Sequence, residues 1–172
     1  MKRLFFALWP DAATRRHCQQ IAAALNEYGR PVQAMNFHVT LAFLGAVDAQ
    51  QQIALTQAAS RIQFTAMKLN FNRLSYWKKP GIVCLNTDRP DPATSALAEQ
   101  LVHIAKSNGL QMDERPFQPH VTLLRKAHSL PQLAFEPIDW QAESFCLVES
   151  CSRSSGVEYH LLEQWRYDKK TL

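Results

Sequence analysis

The sequence predicts a two-lobed α+β fold built from pseudo-twofold antiparallel sheets with helices on their outer faces, and three observations lead there. Amphipathic helical segments with recognisable ends alternate with short strand-like runs. One of those runs switches strictly between apolar and polar residues, the pattern of a strand with one wet face, which favours antiparallel pairing. A tetrapeptide recurs nearly half the chain apart, as expected of a pseudo-symmetric body.

Taken in order, residues 3–9 form a first strand. Their apolar run is short, and Asp11 follows without a small-residue cleavage site, so the segment does not read as a signal peptide. Residues 11–28 are expected to be helical, with Cys18, Ile21, Ala22, Leu25 and Tyr28 on one face and Gly29 and Pro31 as stop signals. A strand at 37–44 follows. Asp48 caps a second helix whose apolar stripe holds Leu55, Ala58, Ala59 and Ile62. In the strand-like run 65–74, Met67, Leu69 and Phe71 alternate with Lys68, Asn70 and Asn72, and a further strand covers 81–86. The third helix has Asp91 as cap, Pro92 at its first position, Leu97, Leu101, Ile104 and Ala105 facing inward, and Gly109 just past its end. Strands at 120–124, 144–149 and 157–162 complete the order β-α-β-α-β-β-α-β-β-β.

A length of 172 residues suits one domain spanning 1–172. With 47% apolar and 20% charged residues the composition is that of an ordinary globular protein. No apolar stretch approaches the roughly 20 residues of a membrane-spanning helix. Cys18, Cys84, Cys146 and Cys151 are scattered without zinc-type spacing, so inert thiols in a reducing cytoplasm are expected. The net charge of +4 favours an anionic partner.

The repeat consists of His38-Val39-Thr40-Leu41 and His120-Val121-Thr122-Leu123. A His-led tetrapeptide should recur by chance in only about five of a thousand such sequences at typical residue frequencies. In a strand, residues i and i+2 share a face, so each His stands beside its Thr while Val and Leu anchor the other face in a core. The imidazole moves protons near neutral pH, and the threonine hydroxyl donates to a phosphate oxygen. Two such tiles facing each other would serve in-line displacement at phosphorus, where the attacking and leaving oxygens each need a proton-transfer group. Strand histidines satisfied only by local hydrogen bonds would account for one tile, not for a matched pair. Threonine is a poor zinc ligand, and neither tile has Cys, Asp or Glu at ligand spacing, so no metal is expected.

At these residues the chain resembles the two-histidine (2H) phosphoesterase superfamily, and within it the bacterial RNA 2′,3′-cyclic phosphodiesterases, historically called 2′-5′ RNA ligases. The likeness spans nearly the whole chain. It includes Arg3-Leu4-Phe5-Phe6-Ala7, Asn36 to Gly45, Arg115 to Arg125, and Tyr159, Leu162 and Trp165 near the end. The resemblance implies two lobes flanking a central cleft, cofactor-free hydrolysis of RNA 2′,3′-cyclic phosphate ends to 2′-phosphates, and reversible 2′-5′ joining. It implies His38 as general acid at the 3′ oxygen and His120 as the base that activates water. The partners implied are RNA ends, tRNA fragments among them, and nucleotides, bound by a monomer. The alternative is a nucleotide or RNA-end binding module that uses the same cleft without turnover.

Arg125 is a candidate phosphate clamp, although it lies five residues after His120 and a regular strand would turn it away from that face. Phe6, Phe43, Trp77 and Phe117 are candidates for stacking a base. Trp77-Lys78-Lys79-Pro80-Gly81 reads as an exposed turn suited to an RNA strand.

Overall fold

The computed structural model describes residues 1–169. Their elements are β1 (Lys2–Leu8), α1 (Ala12–Ala24), β2 (Arg30–Pro31), β3 (Val39–Val47), α2 (Ala49–Ala59), β4 (Met67–Phe71), β5 (Arg73–Trp77), β6 (Ile82–Asn86), α3 (Pro92–Ser107), β7 (His120–Arg125), β8 (Ile138–Ala142), β9 (Ser144–Arg153) and β10 (Gly156–Arg166). One four-stranded sheet has the order β10-β9-β1-β3 and a second the order β2-β7-β6-β5, while β4 and β8 form a two-stranded pair. All these pairings are antiparallel, as the alternating run predicts.

The helix starts follow the expected capping chemistry. Asp11 accepts from the Thr14 backbone N–H at 2.7 Å. Asp48 and Gln51 form a reciprocal capping box. Asp91 accepts from both the N–H and the hydroxyl of Thr94, with Pro92 in the first turn. Each of these caps satisfies amide groups that would otherwise be left without partners at the helix start.

A single apolar core joins both sheets to the helices. Leu4, Phe6 and Leu8 of β1 meet Val83 and Leu85 of β6 and Val121, Leu123 and Leu124 of β7 within it. Helix α1 packs on β7 and α3 on β3. Each of these helices therefore backs a strand that carries a tile, and Val39, Leu41, Val121 and Leu123 are all buried against the core.

Two expectations about the elements are corrected, and two strands are present that the sequence reading does not include. Helix α1 stops at Ala24, not at residue 28; Leu25 closes it, and residues 26–28 form a 3₁₀ turn. The reason lies at Gly29, where an added Cβ would stand 2.9 Å from the Arg125 carbonyl oxygen, so the chain must leave the helix early to lie against the end of β7. The run 65–74 divides at Asn72, whose N–H donates to the Asn86 carbonyl and whose side chain donates to Asp88, so β4 and β5 enter different sheets. Strand β8 is unexpected, although Ile138-Asp139-Trp140-Gln141-Ala142 alternates cleanly; Pro131 and Pro137 just before it read as loop. Strand β2, two residues long, carries no sequence signal.

Phe6 is also misplaced by the sequence reading. It is fully buried beside Phe145 and Trp165 and cannot meet a substrate. A Phe6→Ala variant should therefore lose about 3–5 kcal/mol of stability in denaturant unfolding. Phe43, 44% exposed beneath the Arg3 guanidinium, should lose less than about 1 kcal/mol on the same change. A small loss at Phe6 would contradict its place in the core.

Candidate active site

The two tiles present their histidines in the same way. His38 Nδ1 lies 2.7 Å from the carbonyl oxygen of Asn36, and His120 Nδ1 lies 2.8 Å from that of Gln118. A carbonyl oxygen only accepts, so Nδ1 carries the hydrogen in both rings and Nε2 is the nitrogen free to exchange a proton. Both acceptors sit two residues upstream of the ring, so the repeat extends beyond the tetrapeptide to the backbone that orients it. Asn36 also braces the site through its side chain, whose amide donates to the Val157 carbonyl and ties the β9–β10 hairpin to the segment before His38.

Parity sorts the remaining side chains. On the first sheet, Phe5, Ala7, Cys146 and Val148 form a small apolar face with Trp9 and Tyr159, opposite the main core. Ala7 pairs with Thr40, which places Thr40 on this face beside His38. The His38 ring is enclosed there. Trp9 stacks on it at 5.3 Å with planes 5° apart, Phe5 lies at 5.0 Å, and Tyr159 meets it edge-on at 5.1 Å.

On the second sheet, Asn86 pairs with His120, Cys84 with Thr122, and Ile82 with Arg125. One step along β6, from Cys84 to Val83, corresponds to two along β7, from Thr122 to Leu124, so Leu123 is the extra residue of a β-bulge. Because Ile82, Cys84 and Asn86 alternate along one face of β6, the bulge returns Arg125 to the face of His120 and Thr122. The bend that this arginine requires is thus present. Trp77, paired with Ile82, has its indole 4.5 Å from the His120 ring. It is half-buried against the histidine, whereas Lys78 and Lys79 beyond it are exposed.

His38, Thr122, Arg125, Asn36 and Tyr159 line one cavity of about 230 Å³. Thr40, His120 and Trp77 are not part of that lining. Phe117 packs against the main core, away from this role. Sequence reasoning misses Phe5, Trp9 and Tyr159 as site residues. The neighbours Phe5 and Phe6 both fit a strand, and only the strand's register tells which of them faces the histidine. Among the described residues, no three His, Cys, Asp or Glu side chains converge to hold a metal ion. Of the cysteines, Cys18, Cys84 and Cys146 are buried with thiols pushed up to about 12 by that burial, while Cys151 is only half-buried.

Burial pushes the His38 imidazole down from 6.5 to about 4, against the hydrogen bond to Asn36, and the positive charges of His120 and Arg125 act in the same downward direction. The His120 ring is also lowered by burial, opposed by its bond to Gln118.

The sequence pattern of the LigT-like phosphoesterases matches residues 8–84, a span that contains His38. The RNA 2′,3′-cyclic phosphodiesterase of Escherichia coli strain K12 is 33% identical over 95% of this chain and 96% of its own. The chain belongs to the LigT-like phosphoesterase family. Crystal structures of E. coli LigT superpose over 98% of this phosphoesterase at 32% identity, with a TM-score of 0.88 for the apo form and 0.89 for the complex with 3′-AMP. The latter comparison covers 99% of the LigT chain, the former 98%. An RNA 2′,3′-cyclic phosphodiesterase from Archaeoglobus fulgidus is 26% identical over 86% of this chain and 85% of its own. Together these likenesses bear out the α+β fold and the superfamily read from the paired tiles.

The aromatic enclosure of His38 predicts its titration. In the free protein the ring should titrate near 4, and Trp9→Ala, by readmitting water, should move it up toward 6.5. A depressed pKa means that the unfolded chain binds more protons between these values. The stabilising contribution is therefore present above 6.5 and lost as pH falls through 4. NMR titration of the imidazole checks this, and a value unmoved by Trp9→Ala would show that the stack is not what dries the ring.

Proposed function

We propose that this phosphoesterase hydrolyses the 2′,3′-cyclic phosphate at RNA ends to a 2′-phosphate, without a metal or cofactor, using His38 and His120 as its acid and base. The observation that carries the reading is the pair of rings, each with Nδ1 bound to a backbone carbonyl and Nε2 left available, His38 lining a cavity together with Thr122 and Arg125 and His120 standing on the same strand face as those two. The names and ligand complexes of the relatives point the same way.

In this mechanism the cyclic phosphate sits between the tiles. Neutral His120 takes a proton from water through Nε2 as the water oxygen attacks phosphorus. Protonated His38 delivers a proton from its own Nε2 to the departing 3′ oxygen, leaving the phosphate on the 2′ oxygen. Thr40 and Thr122 donate hydrogen bonds to the non-bridging oxygens, and the Arg125 guanidinium balances their charge. Trp77 holds the His120 ring and borders the nucleoside. With an RNA 5′-hydroxyl in place of water, the same displacement forms a 2′-5′ linkage, and its reversal cleaves one. The protein acts as a monomer in the cytoplasm on RNA ends, tRNA fragments among them. None of the helices among the described residues is long and apolar enough to cross a membrane.

The test is turnover of a nucleoside 2′,3′-cyclic phosphate. His38→Ala and His120→Ala should each lower kcat by about 10²–10⁴-fold, EDTA should leave the rate unchanged, and the product should be the 2′-phosphate. Full activity in either variant would end the proposal. A tight nucleotide complex with no product would instead favour the binding module.

The pH profile carries a further expectation. Catalysis needs one ring protonated and the other neutral, and burial holds both below 6.5 in the free protein. The singly protonated form therefore declines about tenfold per pH unit above that value, and kcat/KM should fall with it. A kcat/KM that is flat or rising from pH 7 to 8 would contradict this assignment.

A further inference from the structure

Strand β2 sets Arg30 directly opposite Arg125. Opposed residues of an antiparallel pair have Cβ atoms about 4.5–5.5 Å apart, and like charges at that spacing destabilise the sheet. The next residue of β7's chain, Lys126, sits in a left-handed conformation with φ 51° and brings a third cation to the same rim. Arg30, Arg125 and Lys126 all line the cavity that His38 and Thr122 share, and no carboxylate among the described residues lines it. None of the three forms an ion pair among the described residues. This crowding is built in: Gly29 lets the chain settle on Arg125 and Ala127, where a Cβ would stand 2.9 and 3.0 Å from their backbone atoms.

A single phosphate between the histidines does not account for Arg30. Thr122, on the histidine side, and Arg125, beside Arg30, are three residues apart along a bulged strand, less than about 10 Å. One ribose with its 5′ carbon bridges that interval, given the reach of an arginine side chain. We propose that Arg30 and Lys126, with Arg125 placed between the two phosphates and shared by them, form a second phosphate subsite that receives the 5′-phosphate of the terminal nucleoside, the link by which it joins the rest of an RNA chain. The inference rests on the function proposed above and deepens it. With the cyclic phosphate between the tiles and the 5′-phosphate on the arginine pair, both ends of the terminal ribose are fixed. The anion also relieves the repulsion across β2 and β7, so the site discriminates an RNA end from an unattached nucleoside cyclic phosphate.

The experiment compares adenosine 2′,3′-cyclic phosphate with its 5′-phosphorylated counterpart in the unaltered protein, Arg30→Ala and Arg30→Lys. The 5′-phosphate should raise kcat/KM by about tenfold or more, mainly through KM, as a charge-assisted contact does. Raising the salt concentration should shrink this ratio. In Arg30→Ala the ratio of the two substrates should fall to about one, and in Arg30→Lys it should recover in part. A ratio near one in the unaltered protein, or an undiminished ratio in Arg30→Ala, would overturn the subsite. Should neither substrate turn over, the proposed function fails while the subsite is still read by calorimetry. Adenosine 2′,5′-bisphosphate binding about tenfold tighter than adenosine 2′-phosphate, with the difference lost in Arg30→Ala, would uphold it, and equal affinities would overturn it.

Discussion

Everything at the site depends on the burial of four aliphatic side chains. Val39 and Leu41 are locked into the core on one tile strand, Val121 and Leu123 on the other, with α3 packed behind β3 and α1 behind β7. Strand parity then leaves His38, Thr40, His120 and Thr122 no face but the opposite one. A one-residue slip in either strand would place two aliphatic side chains in the cleft and a histidine in the core, so the hydrophobic effect enforces a register that the chemistry needs. The helices cross over to do this: the one that follows β1 supports the second sheet, and the one that follows β6 supports the first.

The electrostatics follow from the same packing. Aromatic rings take water away from both histidines, which lowers their affinity for protons, and the nearby cations push His38 further down. In an empty site these effects all oppose positive charge, so the cleft holds arginine and lysine cations beside rings that prefer to be neutral. An anion reverses the balance at once by satisfying the cations and favouring protonation of a ring. The proton required for departure of an alkoxide is therefore better held when a phosphate is in place, because burial disfavours an imidazolium in the free site.

Much of this was legible in the sequence because it is written in local patterns. The helix starts follow from Asp11, Asp48 and Asp91, and the tiles from a period of two combined with repetition. What was not legible depends on pairings between distant segments. Phe5 and Phe6 are neighbours of the same type, and only the register of β1 against β3 and β9 sends Phe6 to the core and Phe5 to His38. Arg125 looks misdirected until the bulge at Leu123, which exists only in the match of β7 to β6. Strand β2 has no composition of its own; it exists because Gly29 can approach Arg125 more closely than any residue with a Cβ. The end of α1 follows from the same contact, so a helix that ends four residues early is the local trace of a tertiary constraint.

The two tiles are alike in sequence but not in surroundings, and the difference gives the cleft a direction. His38 lies among Phe5, Trp9 and Tyr159, whereas Trp77 is the aromatic ring in contact with His120. Arg125 and its neighbour Arg30 belong to the second sheet, at the end of β7 away from His120. A symmetric pair of tiles would bind a cyclic phosphate equally well with either ester oxygen toward either ring. Here the more enclosed ring and the cationic end of β7 meet at one cavity, while the other ring stands beyond it next to an exposed turn with two lysines. On the proposed two-phosphate reading, a substrate with a phosphate at each end of its ribose has one way to lie in such a cleft. On that reading, the ester bond that is opened follows from the side on which the ribose rests, and the asymmetry around the tiles, rather than the tiles themselves, sets the choice between a 2′ and a 3′ product.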